Sequence, residues 1–591
     1  MLIINQFRRV YKHLRKSEKI KLVALTYLMV LASLAEVVSL GAVIPFLGAL
    51  MSPEKVYGHA LAQPFVSLLS IDSPRSLILP LTLIFVGAAI IAGLFRILLI
   101  RIQTIFSATI GSGFSVKVYE LIVHEPYEKQ VARNSSEALA DVSKAQSLGG
   151  NLIQPLLNII SSSLILIAVI VSLLIIEPII TLTVFLGFSF IYICVVFLTR
   201  RNLATNSKVI AKQGGLVNKA IQEGLGGIRD VLIDGTQSVF VEQYKAAMYP
   251  LQSAVASNSV IAAIPRYGIE SLGITLIAAV AYLMFINAPG QDGTTVAIPV
   301  LGTIALGAQR VFPLLQQIYS AYVSLKGSIA SNQDALFILD KPLPEHALGA
   351  GIIPIPFERE IQLINLGFRY SAYGPWIFRG LNLSFRQGSR IGFMGSTGSG
   401  KSTFLDVMMG LLLPTEGNIS VDGRRLGPKE LRAWQTRISH VPQSIYLADS
   451  SIAENIAFGV ALELIDWERV QEVAKRAQIH HTVLNWPQGY KTIVGERGVR
   501  LSGGQRQRIG IARALYKEKA SVIIFDEATS ALDNETEHDV MEAIHGLGRE
   551  LTVFIVAHRL TTLRRCDRIF ELANGSIKFD GCYEDMIVRA A

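Results

Sequence analysis

Residues 394–403 read MGSTGSGKST and follow directly on the apolar stretch SRIGF. Gly395, Gly398, Gly400, Lys401 and Ser402 fit the pattern G-x-x-x-x-G-K-[ST]. Glycines at such positions let successive backbone N–H groups turn inward around phosphate oxygens, and the helix that follows adds its positive N-terminal end. Gly395, Ser396, Thr397, Gly398, Ser399, Gly400, Lys401, Ser402 and Thr403 are therefore the expected cradle of a nucleoside triphosphate. Lys401 is expected at the β- and γ-phosphates and the Ser402 hydroxyl at Mg2+. A second reactive element is SVIIFDEATSALD, residues 521–533. An apolar strand ending in Asp526 holds a carboxylate where it can serve Mg2+ through water. Glu527 beside it can polarise a water in line with the γ-phosphate. An Asp-Glu pair after a buried strand is commonplace. Placed roughly 125 residues after a phosphate loop and just before SALD, it reads as chemistry.

Between these elements lies LSGGQRQRIGIARAL, residues 501–515. Alone, Ser502-Gly503-Gly504-Gln505 is an ordinary turn and helix start. It can equally place backbone donors and a helix N-terminus against a γ-phosphate. With the other two elements in order, the chain resembles an ATP-binding cassette (ABC) transporter of the exporter type, a six-span membrane half fused to one cassette. That resemblance covers essentially the whole chain and implies further roles. Tyr370 in GFRYSAYG stands where the family stacks an aromatic ring on adenine, with Tyr373 as a competing candidate. Gln443 in SHVPQSIYL matches the loop glutamine that senses Mg2+ and the attacking water. Asp533 falls in the loop that crosses between cassettes, and His558 in VAHRL matches the switch histidine at the γ-phosphate.

The remaining elements must position these groups. The chain has 591 residues, 51% of them apolar and 17% charged, and its mean hydropathy is +0.42. Such a composition places much of the chain in lipid. The net charge of +9 fits a cytoplasmic lysine and arginine bias, and no basic run interleaves with aromatics, so nucleic acid is not expected as a partner. Cys194, Cys566 and Cys582 are too few and too far apart for a disulfide framework or zinc ribbon. The first twenty residues are basic without a cleavage site and read as a cytosolic lead-in.

Apolar stretches near 22–50, 77–105, 152–176, 178–199, 260–287 and 296–322 are each long enough to cross about 30 Å of hydrocarbon. The basic segments 1–21, 106–150 and 200–259 mark the cytosolic side, which puts both ends of this half in the cytosol. The expected domains are a helical membrane domain over 1–335, a linker over 336–354 and an α/β nucleotide-binding domain over 355–591. The fold class is thus an all-α six-helix transmembrane domain plus an α/β P-loop cassette. IQLINLGFRY, LNLSFRQG, GNISVDG and ASVIIFDEA read as strands, and FLDVMMGLLL reads as a helix.

In this family ATP lies between one cassette's phosphate loop and the opposite cassette's signature, so the resemblance implies a partner chain. Every catalytic position is occupied by the consensus residue, which favours a homodimer in a bacterial inner membrane. Three arginines, Arg96, Arg266 and Arg310, fall inside spans, where charge is costly and faces a cavity or a partner. Doubled in a dimer, they could hold an anionic head group, although Glu270 is spaced at i+4 to pair with Arg266. The nearest resemblance, carried by IAAIPRYGIESLG and ALGAQRVFPLLQQIYSAY, is to flippases of lipid-linked oligosaccharides and related polysaccharide exporters. Export of another lipid, a drug or a peptide is the competing expectation. An ATP-gated channel or regulator is the alternative of a different class.

Overall fold

In a computed structural model, the described residues are 2–51, 53–59, 63–68, 71–176, 178–287, 291–344, 353–528, 534–546 and 548–590. They form two compact units. The first takes in Met1–Glu125 and Ala132–Pro342, and the second takes in Pro126–Val131 and Leu343–Ala591.

Described helices of the first unit begin with α1 (Leu2–His13), α2 (Lys16–Met51), α3 (Pro53–Tyr57), α4 (Gln63–Leu68) and α5 (Ile78–Val123). Then come α6 (Tyr127–Ala132), α7 (Ser135–Leu148), α8 (Gln154–Ile176), α9 (Pro178–Gly226) and α10 (Ile228–Ile233). The set closes with α11 (Gln237–Asn287), α12 (Gln291–Gly327) and α13 (Ile329–Leu339). Most of α6 falls within the short segment that clusters with the second unit. The expected spans lie on α2, α5, α8, α9, α11 and α12. Among the described residues, four of these helices are long and apolar enough to cross a membrane: windows in Lys16–Leu50, Pro74–Val123, Ser135–Ile175 and Phe185–Gly226, on α2, α5, α8 and α9, reach mean hydropathies of 2.1, 2.6, 2.5 and 1.3. At 1.5 Å per residue, the 46-residue α5 is roughly 69 Å long, more than twice the hydrocarbon thickness, so it projects well beyond the bilayer.

A π-turn at Gly149–Ile153 joins α7 to α8. There the chain presses against α5: a Cβ on Gly111 would lie 2.5 Å from the Gln146 carbonyl, and one on Gly149 would lie 2.4 Å from that of Ser107. Only glycine permits so close a backbone crossing. Helix α13 runs to Leu339, so residues 336–339, expected in the linker, are helical.

The second unit contains two sheets. One pairs β2 (Phe378–Arg386), β1 (Glu360–Phe368), β4 (Glu416–Val421) and β5 (Arg424–Arg425) in that spatial order, antiparallel throughout. The other has six strands in the order β10-β9-β3-β8-β7-β6, where β3 is Arg390–Met394, β6 Ile438–Val441, β7 Val522–Asp526 and β8 Thr552–Val556. Its edge strand β10 (Ser576–Gly581) runs antiparallel to β9 (Arg568–Ala573), and the remaining pairs are parallel. Burial on both faces explains the continuous apolar run VIIF in β7. Phe393, Phe554 and Phe570 of this sheet pack against Phe385 of β2, with ring centroids 5.1–6.4 Å apart.

Helices α14 (Lys401–Met408), α15 (Leu431–Gln435), α16 (Ile452–Ile456), α17 (Trp467–Arg476), α18 (His480–Leu484), α19 (Gly503–Tyr516), α20 (Asn534–His545) and α21 (Tyr583–Ala590) complete the described part. Helix α14 stops earlier than FLDVMMGLLL suggests. Gly410 adopts φ +68°, and the backbone N–H of Leu411 turns back to the Asp406 carbonyl. A glycine in the left-handed region ends the helix one turn before the leucines do.

Candidate functional site

The parallel strands β3, β6, β7 and β8 all end on one side of the six-stranded sheet, and each delivers a predicted residue there. Ligands of open α/β sheets bind at the carboxyl ends of the strands. After β3 the chain enters the glycine loop. A Cβ at Gly395 would lie 2.3 Å from the Leu572 carbonyl, and one at Gly400, at φ +96°, would meet Ile377 Cγ2 at 2.7 Å. These two positions exclude any side chain. At Gly398 a Cβ would meet nothing within 4 Å, so that glycine leaves the mouth of the loop open.

Lys401 is 6% exposed. Its Nζ donates to the carbonyls of Gly395 (2.8 Å) and Ser396 (3.1 Å), curling the loop around its own ammonium. Ser399 Oγ is buried inside the loop without a partner. A buried orphan hydroxyl beside a buried ammonium is costly by itself and suits a polyanion. Tyr370, 52% exposed, donates to or accepts from Thr403 Oγ1 at 3.0 Å and packs edge-on against Phe368. Tyr373 is fully exposed. Of the two rings, Tyr370 is the one tied to the loop.

Strand β7 delivers Asp526 and Glu527. Burial pushes the Asp526 carboxyl above its ordinary range, and the Glu527 charge adds to this. The Ser402 hydroxyl and Lys401 oppose it. This carboxyl, hydrogen-bonded to Ser402, supplies with it an all-oxygen donor pair that fits a magnesium ion. Glu527 occupies the left-handed region at φ +50°, which costs about 1–2 kcal/mol for a residue with a Cβ. Strain of this kind collects at functional sites. Its N–H donates to the Val556 carbonyl at the end of β8 (3.0 Å). Its carboxylate, 12% exposed, is gripped from two sides. Gln443 Nε2, just past β6, donates to one oxygen at 2.7 Å, and His558 Nε2, just past β8, meets the other at 2.7 Å.

Ser502 caps α19. Its Oγ accepts from the Gln505 N–H (3.2 Å), and the Gln505 side chain accepts in return from the Ser502 N–H (2.9 Å). Among the described residues no hydrogen bond joins Ser502, Gly503, Gly504 or Gln505 to the glycine loop. Asp533 lies outside the described residues.

In the first unit the three arginines all have carboxylate partners. Arg266 Nε donates to Glu270 Oε1 at 3.1 Å along α11, with both side chains about half exposed. Arg310 Nη1 donates to Glu36 Oε2 at 2.5 Å, and Arg96 Nη1 stands 3.8 Å from Glu36 Oε1. Glu36 is not among the residues expected from sequence. A sole acid in the apolar run of α2, with Ser33 and Ser39 three residues to either side on one face, was the available signal.

Residues 378–530 match the family described as ABC transporter. The ATP-dependent lipid A-core flippase of Alkalilimnicola ehrlichii is 36% identical over 280 residues, 47% of this chain and 46% of that protein. The ATP-dependent lipid A-core flippase of Chromohalobacter salexigens is 30% identical over 403 residues, 67% of each. The chain thus spans about half to two thirds of the length of these relatives. A solved structure of a bacterial Atm1-family ABC exporter with ATP bound superposes with a TM-score of 0.75 at 23% identity, covering 97% of this chain and 96% of that one. One unit carries the loop, the paired carboxylates and the capped signature, the other consists of long apolar helices, and the chain belongs to the ABC transporters of the exporter type.

Proposed function

We propose that the chain is one half of a homodimeric, ATP-driven exporter that moves an anionic amphiphile, of the kind of a lipid-linked pyrophosphate oligosaccharide, from the inner to the outer leaflet. The observation that supports the ATPase most directly is the Glu527 carboxylate, fixed by Gln443 and His558 at the strand ends beside the glycine loop. Glu527 accepts a hydrogen bond from the attacking water and so polarises it. His558 and Gln443 hold the carboxylate in one orientation, and each has a polar group to turn toward the phosphate side. The loop N–H groups and Lys401 bind the phosphates, and Tyr370 packs on the base. Ser402, Asp526 and Gln443 would hold Mg2+, which when bound neutralises phosphate charge and orients the oxygens. The signature residues Ser502–Gln505 act on the nucleotide of the opposite chain, which is why one chain is not a complete machine. Asp533 belongs to the crossing loop between the two.

ATP binding closes the two cassettes and turns the membrane halves outward, and hydrolysis resets them. Both termini and the cassette lie in the cytoplasm of a bacterial cell whose inner membrane holds the helices. Arg96, Arg266 and Arg310 provide the guanidinium groups for the anionic head group, and Arg310 and Arg96 contribute most because they share one buried centre. The test is reconstitution in vesicles with a fluorescent polyprenyl-pyrophosphate sugar and a neutral glycolipid of equal chain length. ATP-dependent movement of the first alone is expected. Equal movement of both, or of neither, would overturn the reading.

A further inference from the structure

Glu36, Arg96 and Arg310 come from three different helices, α2, α5 and α12, and meet inside the first unit. The Glu36 side chain is 5% exposed, whereas the two arginine side chains are 33% and 34% exposed. Two permanent cations therefore share one carboxylate. The contacts are also spare. Arg310 makes a single hydrogen bond to it, and Arg96, at 3.8 Å, makes none among the described residues.

Two arginine–carboxylate pairs of the second unit behave differently. Arg379 grips Glu416 with two nitrogens at 2.9 and 3.1 Å, and Arg549 grips Asp567 at 2.6 and 3.0 Å. A guanidinium has five N–H donors in a fixed fork that matches the oxygens of carboxylate or phosphate. Toward Glu36, and among the described residues, the Arg96–Arg310 pair uses little of that capacity, and both side chains are about one third exposed. Ser39, on the same face of α2, keeps a buried hydroxyl with no partner.

Building on the anionic-amphiphile reading above, we infer that Glu36 is the resident anion of an exchange site. It occupies Arg310 and stands beside Arg96 until an anionic head group takes its place. Exchange follows from the charge count and the burial together. An incoming phosphate offers the forks the bidentate contacts that Glu36 does not make. Once displaced, the Glu36 carboxylate is a buried charge without its counter-ion, which destabilises the loaded arrangement of α2, α5 and α12. On release the same carboxylate competes for the guanidinium groups and helps to expel the cargo. Glu36 thus sets specificity for anions through the arginines rather than by touching the cargo.

The test titrates dodecyl phosphate into proteoliposomes of the full chain and follows stimulation of ATP hydrolysis. Dodecyl maltoside and dodecyltrimethylammonium serve as neutral and cationic twins. Glu36→Gln is expected to lower the half-stimulating concentration of dodecyl phosphate about tenfold, equivalent to about 1.4 kcal/mol, without moving the response to either twin. Glu36→Asp, which keeps the charge but retracts it from Arg310, is expected to shift it less, and it decides the matter if the glutamine variant does not fold. A role confined to bracing the helices predicts no gain in apparent affinity from either variant. An unchanged or raised half-stimulating concentration in both, with a normal wild-type response, would overturn the exchange site and leave the anionic-amphiphile reading standing. Equal responses to dodecyl phosphate and dodecyl maltoside in all three chains would remove both.

Discussion

Two carboxylates, the half-buried Glu527 in the second unit and the buried Glu36 in the first, are each held from two sides, and the holders differ. Glu527 is gripped by an amide and an imidazole, both at 2.7 Å. Glu36 faces two guanidinium groups, at 2.5 and 3.8 Å. An amide carries no charge, so Gln443 aims the Glu527 carboxylate without compensating it. Guanidinium groups stay protonated, so Glu36 is neutralised by its surroundings. The first arrangement suits a base and the second suits a lock. Exposure follows the same division: 12% of the Glu527 side chain is accessible, against 5% for Glu36.

The largest expected effect breaks the first arrangement. Glu527→Gln keeps the shape and the contact with Gln443 but removes the basic oxygen, so steady-state phosphate release should fall about 10²- to 10³-fold. Nucleotide binding should persist, with ATP trapped between closed cassettes. Near-normal turnover would take Glu527 out of the catalytic role.

The next prediction asks whether the site built around Glu527 is completed by a second chain. A Lys401→Ala chain and a Ser502→Arg chain should each be inactive alone. In a mixed dimer, the intact loop of the second faces the intact signature of the first, so mixing should recover activity that neither shows alone. Failure to recover any activity in verified mixed dimers would end the composite-site reading.

The second arrangement is broken through Arg310. Replacing it with glutamine leaves Glu36 facing only the more distant Arg96, and removing one partner of a buried pair costs about 3–5 kcal/mol. The double variant Glu36→Gln/Arg310→Gln should recover most of that loss. Arg266→Gln, by contrast, breaks an exposed i,i+4 pair and should change stability far less. Thermal unfolding of the three variants in one detergent orders these effects. Equal losses for Arg310→Gln and Arg266→Gln would refute the distinction.

The same comparison explains what was legible in the sequence. Gly395, Lys401, Asp526, Gln443 and His558 lie in short local patterns because each sits at the end of a parallel strand, where position along the chain fixes position in space. Their expected roles rest on those patterns, yet that Gln443 and His558 share one carboxylate could not be read, since it depends on β6 and β8 flanking β7. In the first unit no such rule operates. Arg310 and Glu36 are 274 residues apart and meet only because α12, α2 and α5 pack at one level. The arginines stood out as charges in apolar runs, and the Arg266–Glu270 pair followed from helical spacing. The acid that answers Arg310 required the packing. The early end of α14 was hidden for a smaller reason: Gly410 sits inside an apolar run and acts through its φ angle rather than its polarity.

A last expected effect turns on pH and on a single imidazole. His440 lies on β6, close in sequence to Gln443, and its Nε2 is buried without a hydrogen-bond partner. Burial alone lowers its pKa to about 4, against an ordinary value of 6.5. The unfolded chain therefore binds this proton more readily than the folded one. The stability linked to His440 is fully present above pH 6.5 and is lost as pH falls from 6.5 toward 4. At pH 5 the loss is roughly 2 kcal/mol. All four tryptophans, Trp376, Trp434, Trp467 and Trp486, lie in the second unit, so tryptophan fluorescence reports its unfolding without contribution from the membrane helices. Urea midpoints at pH 8 and pH 5 should differ clearly in the parent chain and much less in His440→Gln, which stays neutral throughout. Parallel pH dependences in the two chains would show that carboxylates elsewhere set the acid sensitivity, and that a lone buried imidazole is a weaker element than either of the gripped carboxylates.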